Sequence, residues 1–121
     1  MYSIDTHGVW LGPAADDLTE GQRERFAAEW DEIDARYPDP DDSDERLAAL
    51  AACVQYLLGE TDVYQAGFER EAAQREAARA YAASRQVARM AALDGASEVQ
   101  AARSASIDRM TLRKDLGKRP R

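Results

Sequence analysis

The side chains best able to make or break bonds are scarce in this chain of 121 residues, which has one cysteine, Cys53, and one histidine, His7. A single cysteine rules out an intrachain disulfide and leaves any thiolate metal site without a second sulfur. Its neighbours Leu50, Ala51, Val54 and Leu58 suit a small buried thiol packed as a hydrophobe rather than a nucleophile. His7 has no partner evident in the sequence, there is no glycine-rich phosphate loop, and the carboxylates lack metal-binding spacing. Paired acids such as Asp16 and Asp17 read more simply as the acidic bias of a helix start. The expectation is a protein that is not an enzyme, with no catalytic residue, no metal ligand and no cofactor.

Ionic recognition is the chemistry that the residue types do support. The formal net charge of −7 is unevenly spread: residues 1–62 carry sixteen acidic and four basic side chains, residues 63–121 seven acidic and twelve basic. A polyanion would be repelled by the first part and attracted by the second. The attraction is strongest at the end, where Arg103, Arg109, Arg113, Lys114, Lys118, Arg119 and Arg121 stand against Asp108 and Asp115. Fourteen of the sixteen basic residues are Arg, which hints at a GC-rich coding sequence and says nothing of mechanism.

The elements that must position these cations are expected to be helical throughout. Alanine is the commonest residue and alternates with charged residues from Glu69 to Arg89, a composition that favours helix over strand. Residues 1–16 show no sustained period and read as an extended arm that lays Trp10 on the helices. Thr19 with Gln22 offers a capping box, and Phe26, Trp30, Ile33 and Tyr37 follow at spacings of 4, 3 and 4, so a first helix is expected over Glu20–Arg36. Pro38 and Pro40 end it in a short acidic loop. Asp42 or Ser43 caps a second helix, whose stripe is Leu47, Leu50, Ala51, Val54, Leu57 and Leu58, and Gly59 closes it.

Asp62 or Thr61 is expected to begin a third helix over the proline-free run Val63 to Leu93, with Val63, Tyr64 and Phe68 expected to pack on the first two. Its alanine-rich middle, which includes Ala78 and Ala82, offers a narrow surface for a second copy of the chain. After Asp94 and Gly95, Ser97 can cap a short helix; the chain turns at Ser106, and Asp108 can cap another short helix from Arg109 to Leu116. Ala102 is the small residue expected where the two cross, with Val99, Ala105, Ile107, Leu112 and Leu116 as their shared apolar centre.

The stretch 95–118, GASEVQAARSASIDRMTLRKDLGK, resembles the helix-turn-helix segment of small bacterial, plasmid and phage DNA-binding proteins of the resolvase and homeodomain-like class. Its most telling part is Ile107-Asp108-Arg109-Met110-Thr111-Leu112-Arg113. The family commonly has Gly where Ser106 stands, because that turn position takes a positive φ. Asp115 stands where an aromatic or aliphatic residue is usual. The resemblance implies a reading helix that opens at Asp108. The residues expected to contact DNA are Ser97, Asp108, Arg109, Met110, Thr111, Arg113 and Lys114, with Lys118, Arg119 and Arg121 tracking phosphates.

The chain thus reads as all-α. It has an extended arm at 1–16, an acidic helical body with a dimerisation region at 17–80, and a helix-turn-helix region with a basic tail at 81–121. The two amphipathic helices are expected to pack on the long third. No window of 18 apolar residues and no signal-peptide pattern occurs, so a cytoplasmic protein with no membrane partner is expected. The expected function is sequence-specific binding of double-stranded DNA by a homodimer, as a small regulator of a bacterium, plasmid or phage. Two other readings stay open: a protein-interaction or inhibitor module whose acidic half engages a protein partner through Asp39, Asp41, Asp42, Asp44 and Glu45, and the DNA-recognition subunit of a phage packaging machine.

Overall fold

A computed structural model describes residues 6–118, and every regular element among them is a helix. In chain order these are α1 (Thr6–Leu11), α2 (Glu20–Arg36), α3 (Ser43–Leu57), α4 (Val63–Leu93), α5 (Glu98–Ser104) and α6 (Arg109–Asp115), with 3-10 turns at Gly12–Asp17 and Pro40–Asp42. The all-α class expected from composition holds for these residues. Residues 1–5 of the expected arm, and Arg119 and Arg121 of the expected basic tail, lie outside the described residues. The chain divides into two compact units between Ala66 and Gly67.

In the first unit, α2 begins at the expected capping box: the Gln22 backbone N–H donates to Thr19 Oγ1 at 3.1 Å, and the Thr19 N–H donates to Gln22 Oε1 at 2.8 Å. The same Gln22 side chain donates from Nε2 to the Leu57 carbonyl at 2.8 Å, tying the start of α2 to the end of α3. Phe26 and Ile33 from α2 and Leu50 from α3 form a core with Leu11 and Leu18, and Trp10, Trp30, Tyr37, Cys53, Val54, Leu57 and Leu58 pack around it. Burial pushes the Cys53 thiol up, with Glu29 adding to the rise and Arg25 opposing it, so the thiol stays protonated near neutral pH.

Two expectations are corrected here. Residues 6–17 are helical, not an extended arm. Gly12, at φ 57°, turns the chain between α1 and the 3-10 segment, and so brings Trp10 and Leu11 back onto α2. Trp10 stacks on Phe26 with ring centroids 5.7 Å apart, while His7 meets Trp30 edge-on at 4.8 Å. The second correction concerns the long helix. Val63 and Tyr64 were expected against the first two helices but are 74% and 85% exposed, and Phe68 is exposed as well. The core on α2 and α3 takes Leu11 and Leu18, with Trp10 and Ala15 against it, from the residues before Thr19, and Val63 and Tyr64 are not among its members.

Candidate nucleic-acid interface

The second unit is built on alanine. Ala88 of α4, Ala101 and Ala102 of α5, Ile107 of the turn and Leu112 of α6 are buried together, with Ala92, Ala105 and Leu116 packed against them. Methyl-sized side chains let helices approach closely, and Ala102, the small residue expected where α5 and α6 cross, is buried among them. Val99 does not join this centre: it is 46% exposed, and Ala88 and Ala101 take the place assigned to it.

The turn between α5 and α6 follows from local hydrogen bonding. The Ser106 N–H donates to the Arg103 carbonyl at 3.2 Å and the Ile107 N–H to the Ala102 carbonyl at 3.0 Å, the paired bonds of a Schellman helix end. This arrangement puts Ser106 at φ 56°, the one non-glycine residue with positive φ among those described. It also seats Ile107 against Ala102. From α4, Ser84 Oγ donates to the Ala105 carbonyl at 2.6 Å, satisfying an acceptor that the end of α5 leaves open.

Polar contacts fasten α6 at its far end. Arg85 grips the Asp115 carboxylate through two bonds of 2.9 and 2.6 Å, and Arg89 donates to the Asp115 carbonyl at 2.5 Å. Asp115 therefore is a strut between α6 and α4. The Arg85 hydrogen bond, together with the Arg85, Lys114 and Arg89 charges, holds its carboxyl below the ordinary carboxylate range against the opposing effect of burial.

A second cluster centres on Glu98, the first residue of α5. Arg113 donates to its Oε1 at 2.8 Å, Lys118 bonds its Oε2, and Arg109 Nε lies 3.9 Å from Oε1. The Lys118 hydrogen bond first, then that of Arg113, depresses the Glu98 carboxyl.

The described residues among those expected to contact DNA stand in unequal states. Ser97 caps α5, its Oγ accepting from the Gln100 N–H at 3.1 Å. Asp108 precedes α6 without a side-chain cap bond. Arg109, Met110 and Lys114 are exposed and Thr111 is half-buried; Met110, Thr111, Lys114 and Lys118 line one shallow recess. Arg113, expected to reach toward DNA, has a side chain only 15% exposed and held by Glu98. Sequence reasoning passed over Glu98, Ser84, Arg85 and Arg89 as contributors. Glu98 and Arg113 are fifteen residues apart and Arg85 and Asp115 thirty, separations at which no helical period links them. Among the described residues no group of three or more His, Cys, Asp or Glu is placed to hold a metal ion, and no helix is long and apolar enough to cross a membrane. Compared with protein-family models, curated proteins and solved structures, the chain matches none of them.

Proposed function

We propose that residues 97–118 are a double-stranded DNA-binding surface, with α5, the turn at Ser106 and α6 acting as a helix-turn-helix and α6 as the reading helix. One observation carries the proposal. The short helix α6 is anchored through Leu112, Asp115 and Arg113, while Arg109, Met110 and Lys114 remain exposed. A cationic helix anchored at three residues with its other side chains exposed is suited to the major groove, which is about 12 Å wide and admits one α-helix. The sign of the charge agrees, since residues 67–121 carry twelve basic and seven acidic side chains.

In this reading the protein is a small regulator of a bacterium, plasmid or phage that acts without catalysis. Because one short helix reads only a few base pairs, two copies bind two half-sites. Selection of duplexes from a random pool, followed by fluorescence anisotropy, tests it. The wild type should enrich a defined site. Arg109→Ala or Lys114→Ala should weaken binding by about 1 to 3 kcal/mol where the side chain reads a base, with relaxed preference at that position. A wild type that binds no duplex at low salt would refute the reading.

A further inference from the structure

Glu98 has no role in the reading above beyond anchoring Arg113, yet its surroundings are unusual for a helix-start carboxylate. An acid in the first turn of a helix needs no partner to be favourable. This one is only 17% exposed and gathers three cations: Arg109 and Arg113 from α6, and Lys118 from just beyond it. Lys118 gets there because Gly117, at φ 77°, ends α6 with the Lys118 N–H bonded to the Arg113 carbonyl at 2.8 Å, and that reversal turns the chain back toward the start of α5. One carboxylate thus faces three of the cations counted as DNA contacts, and Lys114 is left as the α6 cation with no ion pair to it.

Resting on the DNA-binding reading, we infer that Glu98 sets the specificity of this surface by withholding Arg109, Arg113 and Lys118 from sequence-independent phosphate contact. A phosphate approaching these side chains must compete with a carboxylate already hydrogen-bonded to two of them. Only a site that also satisfies the base-facing residues of α6 supplies enough further interaction to win that competition. Affinity for arbitrary DNA stays low as a result, and the difference between right and wrong sequences widens. The cost is part of the total affinity, as expected when discrimination is obtained by disfavouring the wrong partner.

The test is fluorescence anisotropy with full-length wild type, Glu98→Gln and Glu98→Asp, against two labelled duplexes of about 20 base pairs, one random and one selected by the wild type. Each phosphate newly neutralised steepens the fall of log K with log salt by about 0.9. Glu98→Gln should bind the random duplex about tenfold more tightly, with a slope steeper by about one to two such contacts. It should gain less on the selected duplex, so that the ratio of the two affinities falls. Glu98→Asp, which keeps the charge on a shorter side chain, should stay closer to wild type and covers the case in which the glutamine variant melts below the assay temperature by circular dichroism. Equal weakening on both duplexes by the two variants, or unchanged salt slopes, would overturn the inference and leave Glu98 as packing support for Arg113. Failure of the wild type to bind either duplex would instead remove the DNA-binding reading, and the inference with it.

Discussion

Ser106 shows how a single backbone angle carries the architecture of the second unit. At φ 56° its side chain meets the backbone crowding that disfavours the left-handed region for L-residues, a cost of about 1 kcal/mol that glycine avoids. Ser106→Gly should therefore raise the unfolding free energy by up to about 1 kcal/mol in urea titrations, less any gain in unfolded-chain entropy. Asp115 and Glu98 contribute to the acid response. Both carboxyls are depressed in the folded chain, so the unfolded chain takes up protons first as pH falls. Their contribution is full above the ordinary carboxylate range near pH 4 and is lost below it, toward the folded values. Thermal melting followed by circular dichroism should show little change from these groups between about pH 7 and 5 and a decline below about pH 4. Asp115→Asn should melt lower at neutral pH and lose less on acidification; an unchanged acid slope would exclude the strut from the stability of the fold.

At the scale of elements, the first unit depends on α1 as a packed layer. Leu11 is buried in the core with Phe26, Ile33 and Leu50, so Leu11→Ala should cost about 2 to 4 kcal/mol in a urea unfolding experiment. A solvent-exposed arm would give a change within about 0.5 kcal/mol. The capping box at Thr19 and the Gln22 bond to Leu57 fix where α2 starts and which end of α3 it meets. Pro40 and the Asp39 side chain, which accepts from the Asp41 N–H at 2.9 Å, turn the chain between them. The acidic residues of this loop thus have a local structural use as well as a charge.

For the whole molecule, the proposed pairing of two copies rests on α4. Ala78 and Ala82 are exposed and four apart, on one face, where methyl side chains let two helix axes approach to about 8 Å. Ala78→Glu with Ala82→Glu should preserve helical content, since glutamate is a good helix former, and yet reduce the sedimenting mass to one chain. Binding to a two-half-site duplex should weaken far more than binding to a single half-site. A wild type that sediments as a monomer at tens of micromolar, with and without DNA, would exclude the pairing.

The parts legible in the sequence are those governed by interactions within a few residues. The Thr19 capping box, the 3.6-residue apolar period and the Pro38 stop place α2 at Glu20–Arg36, and a proline-free run ended by Asp94 and Gly95 places α4 at Val63–Leu93, as expected from those signals. The positive φ at Ser106 was expected only from the helix-turn-helix resemblance; the structure supplies its local cause, the Schellman bonds that impose it on the residue after the helix end. What packs on what was decided only by the tertiary structure. The exposed Val63 and Tyr64 have the same residue types as a core face, but the core of the first unit takes Leu11 and Leu18 from the residues before α2. The same holds at the candidate interface. Composition marked the cations near the end of the chain, but Glu98 and Asp115 engage Arg113, Lys118 and Arg85 across the spaces between helices, and a one-dimensional pattern holds no record of those distances.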